Sequence, residues 1–85
     1  MNNRYFGKDV RAGSGRTIRM LRERFNLTQS MLGKMVGVSA GYIGQLEKGA
    51  VSISDAVATE LANKFDGLQK ENFTENIPVN WSAVR

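Results

Sequence analysis

The sequence predicts an all-α fold: a compact four- to five-helix domain over residues 14–73, with a flexible basic N-terminal arm (1–13) and an extended C-terminal tail (74–85). Three observations predict it. Apolar residues recur at three- and four-residue spacings between Ile18 and Phe65, the period of one face of a helix. Residues that start and stop helices, Thr28, Gly37, Ser39 and Gly49, fall between those runs. The 85 residues include no cysteine, so one small core must be held by packing alone.

Each element follows in turn. MNNRYFGKDVRAG, residues 1–13, has no clear periodicity and reads as an arm, with Tyr5 and Phe6 available to dock. Ser14 or Thr17 caps helix one, where Ile18, Leu21 and Phe25 share a face opposite arginines. Asn26 suits a left-handed stop. Thr28 caps helix two, whose apolar stripe is Met31, Leu32, Met35 and Val36, and Gly37 ends it. The methionines are read as core filler or surface, not as ligands. Ser39 caps helix three, with Ile43 and Leu46 inward and Gly49 as its stop. Ser52 with Asp55 forms a loose capping box for helix four, in which Ile53, Val57, Leu61 and Phe65 recur every four residues. DGLQKENF makes a short fifth helix. In NIPVNWSAVR, Ile77, Val79 and Trp81 alternate with other residues, and Pro78 confines any strand there to an edge.

Composition narrows the function. With neither histidine nor cysteine, there is no imidazole base, no thiol nucleophile and no common zinc site. A paired-carboxylate pocket does not fit so small a core, so the protein is read as a non-enzyme, and no cofactor or metal is expected. AGSGRT does not make a nucleotide-cradling loop, since Val10 and Arg16 stand where that loop needs glycine and lysine. No apolar run reaches the roughly 20 residues of a membrane span, and no signal-peptide core is visible, so a cytoplasmic protein without membrane partners is expected. The net charge of +4 is uneven. Residues 1–24 carry seven basic and two acidic side chains, residues 51–85 three and five. A polyanion facing the first half of the chain is the natural partner.

Gln29 to Leu46 form a unit. Gly33 leaves room in the middle of helix two for a crossing helix. Gly37 makes the turn, and Ile43 and Leu46 lock helix three onto helix two. This spacing gives a helix-turn-helix. LTQSMLGKMVGVSAGYIGQLEKG resembles that of the phage repressor and Cro family, also called the xenobiotic-response-element-like family. Leu27, Thr28, Gln29, Gly33, Gly37, Val38, Ser39, Ile43, Leu46, Glu47 and Gly49 carry the likeness, which extends over about residues 16 to 66. Arg22 falls where that family has an arginine paired with the glutamate matched by Glu47.

The resemblance implies a bacterial or phage-encoded regulator of transcription that docks its third helix in the major groove of double-stranded DNA. A repressor acting as a homodimer on a palindromic operator is expected, with helix five and the tail as candidate dimerisation segments. Gln29 would bond a phosphate and brace helix three. Ser39, Ala40, Gly41 and Gln45 would face base edges or nearby backbone, Tyr42 a phosphate or a base, and Lys48 the backbone. Arg22 and Glu47 would form a structural ion pair. Charge adds Lys34 and Arg16 as phosphate contacts, and the Gln45 amide has the shape to read adenine. Bland roles stand beside these: Gln29 as a cap, Gln45 as an exposed polar residue, Tyr42 as packing at the domain edge, the arm's arginines as solvated charges.

Gly41 and Gly44 offer a partner no side chain. Either the backbone of helix three approaches the groove closely, or reading is shared among Tyr42, Gln45, the arginine-bearing arm and DNA deformability, the reading favoured here. A different class remains open: a protein-interaction module, such as an antitoxin or an antirepressor partner, that keeps the fold and binds a regulatory protein.

Overall fold

The computed structural model describes residues 3–85, with side chains from residue 10 onward. Its elements are α1 (Asn3–Arg24), α2 (Gln29–Val36), α3 (Ala40–Glu47), α4 (Asp55–Lys64) and α5 (Glu71–Thr74), followed by one 3₁₀ turn (Trp81–Ala83). No strand occurs among the described residues, and none of their helices is long and apolar enough to cross a membrane. The all-α class expected from periodicity is what the chain adopts.

The starts and stops of α2 and α3 are local chemistry. The Thr28 hydroxyl accepts the Met31 amide at 3.0 Å, and the Ser39 hydroxyl accepts the Tyr42 amide at 3.0 Å. Both satisfy amides that a helix start leaves free. Gly37 ends α2 at φ 80°, ψ 29° and donates to the Gly33 carbonyl, a left-handed cap that costs a side-chain-bearing residue more. Asn26 makes the α1–α2 turn at φ 56°.

Leu21, Leu32, Ile43, Leu46, Leu61 and Phe73 are fully buried, and Ile18, Val36, Ala58, Phe65, Leu68 and Val84 complete the core. Phe25 packs against the core on Phe65, with ring centroids 4.9 Å apart, within the favourable range for tilted rings.

Several elements differ from the sequence reading. α1 starts at Asn3, so the boundary drawn between residues 13 and 14 falls inside a helix. Ser14 and Thr17 are not caps. Their hydroxyls donate to the carbonyls of Arg11 and Gly13, a turn back along the same helix. The glycines that resemble a loop are points of close approach. A β-carbon at Gly13 would overlap the Asn76 amide, and one at Gly15 the Leu46 carbonyl oxygen. Docking of Tyr5 and Phe6 lies outside the described side chains.

Met31 and Met35 are 47% and 36% exposed, so the inward stripe of α2 is Leu32, Gly33 and Val36. Ser54, not Ser52, caps α4, accepting the Val57 amide at 3.2 Å. Asp55 is the first helical residue and pairs with Lys70 at 3.4 Å.

The tail folds back onto its own domain. Asp66 and Arg85 exchange backbone hydrogen bonds of 2.9 and 3.0 Å, which places Val84 in the core. Gly67, at φ 88°, abuts the Ala83 carbonyl. The alternation of Ile77, Val79 and Trp81 makes no strand: Ile77 is exposed, while Val79 and Trp81 pack at the margin of the core.

Candidate nucleic-acid interface

The site begins with a charge in an apolar place. Glu47 is the last residue of α3, and its side chain is 1% exposed. Burial alone would push its carboxyl up. Arg22, Gln29 and Arg19 outweigh that and hold it below the ordinary carboxylate range. Arg22 approaches with two nitrogens: Nε to Oε2 at 2.7 Å and Nη2 to Oε1 at 3.1 Å. This two-point match is the strong form of an arginine–carboxylate pair. The same guanidinium donates Nη1 to the Leu27 carbonyl at 3.0 Å. Its own pKa is raised, chiefly by the hydrogen bond to Glu47.

One side chain therefore fastens α1, the α1–α2 turn and the end of α3 together. Arg19, one turn earlier on α1, adds a longer contact of 3.5 Å to Glu47. Sequence reasoning missed it, although a basic residue three positions before Arg22 lies on the same helix face. Gln29, the first residue of α2, donates Nε2 to Glu47 Oε1 at 3.2 Å. Capping at this end of α2 belongs to Thr28, so the cap role for Gln29 does not apply.

The crossing of α2 and α3 depends on Gly33, through a different neighbour from the one expected. A β-carbon there would stand 2.5 Å from the Val38 carbonyl oxygen, so it is the turn rather than the crossing helix that needs the space. At the far end of α3, Gly15 lets α1 press against the Leu46 and Glu47 carbonyls. α3 is thus gripped at both ends, with Ile43 and Leu46 buried beneath it.

The other face of α3 is accessible. Ser39, Gly41, Gln45 and Lys48 are exposed, while Ala40, Tyr42 and Gly44 are half-buried. Tyr42 packs against the core margin. The Ser39 oxygen is engaged as the cap, and its hydroxyl proton stays available as a donor. Lys34 on α2 and Arg16 on α1 are also exposed. The structure therefore brings Ser39 to Lys48 together on one short helix and its ends, beside Gln29. A helix braced from behind by a buried ion pair and polar or small in front is suited to lie in a groove wide enough for it. The amides at its N-terminus suit phosphates, and Lys48 at its far end adds a cation.

Over residues 18–68 the chain matches the family model HTH_3, described as Helix-turn-helix. Comparison with curated proteins gave no match, and neither did comparison with solved structures.

Proposed function

The chain belongs to that family, the helix-turn-helix family of phage Cro/CI-type repressors, and is a DNA-binding helix-turn-helix regulator; from that premise we propose that it is a sequence-specific repressor, binding a palindromic operator as a homodimer with α3 in the major groove. The observation that carries this reading is the pairing of Arg22 with Glu47 behind α3, which fixes the angle at which Gln45 and its neighbours meet a partner.

In this arrangement Gln45 contacts a base edge, Gln29 and Lys48 contact phosphates, and Lys34 and Arg16 add counterion release. Ala40 meets a thymine methyl, and the bare surface at Gly41 admits the backbone closely. Ser39 and Tyr42 contact the sugar–phosphate backbone. Half-sites lie about one helical turn, ~34 Å, apart. The half-buried Glu71 and Thr74 of α5 and the exposed tail around Ile77 form the contact between protomers, while Val84 anchors each tail in its own domain.

Selection of bound sites from random duplexes tests this directly. A symmetric consensus with that spacing is the expected result. Binding is then measured at ~50 mM and ~200 mM salt, where several phosphate contacts impose a steep loss of affinity. Gln45→Ala should cost about 1–3 kcal/mol on the selected site and little on random DNA. No duplex binding at either salt would replace this reading with the protein-interaction module, for which the glycines of α3 supply a smooth surface.

A further inference from the structure

The two glycines on the accessible side of α3 have different surroundings. A β-carbon at Gly41 would meet only the Ser39 hydroxyl oxygen, 3.8 Å away. One at Gly44 would meet Gln29 Oε1, Nε2 and Cδ at 3.4, 3.5 and 3.7 Å. These distances place the oxygen–nitrogen end of the Gln29 amide in van der Waals contact with the position a β-carbon would take at Gly44. A methyl group there would just touch the amide, and a longer side chain turned toward Gln29 would press against it.

Chemistry fixes which way that amide faces. A carboxylate only accepts hydrogen bonds, so Nε2 must point at Glu47. The reversed amide would set oxygen against oxygen. Glu47 is itself immobilised by Arg22. One N–H of Gln29 is thereby used. Its carbonyl oxygen and second N–H have no side-chain partner among the described residues.

We propose that Gly44 is a positioning residue of the DNA interface: by carrying no side chain it gives its place on α3 to the Gln29 amide, whose second N–H then donates to a backbone phosphate. The inference rests on the reading of α3 as the helix that faces DNA, and it deepens that reading. The polar group at this turn of α3 is supplied by α2, pre-set by Glu47 before any duplex arrives. Gly41 has no such occupant.

The test compares Gly44→Leu and Gly41→Leu, each alone and with Gln29→Ala, by affinity for the selected duplex. Gly44→Leu should lower affinity about tenfold, the loss of one hydrogen bond to a charged acceptor. The salt slope should not change, because no charge is removed. With Gln29→Ala the leucine enters vacated space, and its cost should shrink to about twofold, the sign of coupled sites. Gly41→Leu should have the same effect in both backgrounds.

In the free protein, the Gln29 side-chain amide resonances should move with Gly44→Leu and stay with Gly41→Leu, which also reports that both variants fold. Equal cost of Gly44→Leu with and without Gln29, or unmoved Gln29 resonances, overturns the proposal while leaving the DNA reading intact. Absence of duplex binding by the unaltered protein overturns that reading, and the positioning role with it.

Discussion

Glu47 and Asn72 can be set side by side. Each is a buried polar side chain that ties separate stretches of chain together. Glu47 joins α3 to α1 and to the start of α2 through Arg22, Arg19 and Gln29. Asn72 joins α5 to the tail: its oxygen accepts the Gln69 amide at 2.7 Å, and its nitrogen donates to the carbonyls of Ile77 at 3.0 Å and Pro78 at 3.4 Å. The first tie is charged and the second neutral. A buried charge has a large cost unless it is matched, so the pair holds its geometry strictly. A neutral amide only satisfies backbone groups that would otherwise lie unpaired. The strict tie sits behind α3 and fixes how that helix lies on α1 and α2. The gentler one closes a tail whose task is to cover the core.

The largest expected effect breaks the charged tie. Arg22→Met leaves Glu47 buried beside Arg19 and Gln29 only, and should lower stability by about 3–5 kcal/mol in chemical denaturation, toward the lower figure if Arg19 moves in. A loss below about 1 kcal/mol would show that the carboxylate does not depend on Arg22, and the contrast between the two ties would fall.

Asn72→Ala should have a smaller effect, about 1–3 kcal/mol, since it strands backbone groups but no charge. Trp81, the single tryptophan, packs by the tail with the Arg24 guanidinium 6.0 Å from its ring centroid. Its fluorescence should report loosening of the tail before the rest of the domain unfolds. Coincident loss of fluorescence and helicity would mean that the tail is not a separate unit.

Acid separates the ties without mutation. The folded Glu47 carboxyl lies below its ordinary value of 4.5, so the stability it contributes is present above about pH 4.5 and is lost as pH falls through the lower folded value. Glu47→Gln should remove that part of the acid dependence, and Asn72→Ala should leave it unchanged. Stability measured from pH 7 down to pH 2 checks both slopes. The effect should be smaller than that of Arg22→Met, because a protonated Glu47 still accepts hydrogen bonds.

The same comparison explains what the sequence made legible. Thr28, Gly37 and Ser39 could be read because a cap is decided within four residues. The Arg22–Glu47 pair, 25 residues apart, came only through resemblance to a family. Asn72 gave no signal, since its partners are a backbone amide and two backbone carbonyls, groups that any sequence supplies. Ser52 and Ser54 are equivalent by composition, and the chain's path into α4 selects the second. Gly13 and Gly15 resembled a loop because the carbonyls and the Asn76 side chain that need their space belong to distant segments. Val84 is buried through the turn at Gly67, a tertiary event hidden beneath a misleading alternation of residues. Met31 and Met35 show the limit of periodicity: it finds a helix, but which edge of its stripe faces inward depends on how the neighbouring helix crosses.

The smallest expected effect concerns a place that neither tie reaches. Gly41 is exposed, its φ is not positive, and a β-carbon there would meet only the Ser39 hydroxyl oxygen, in ordinary contact at 3.8 Å. Alanine at this position adds helix propensity and removes unfolded-chain freedom, so Gly41→Ala should raise stability by up to about 1 kcal/mol. If alanine does stabilise the fold here, close approach to a groove is what the bare surface at this position offers in its place. The stabilised variant should therefore bind the selected duplex more weakly than the original protein if the backbone at 41 touches DNA. Gly41→Ala that is more stable and binds equally well would show that the front of α3 stands clear of the duplex at this point.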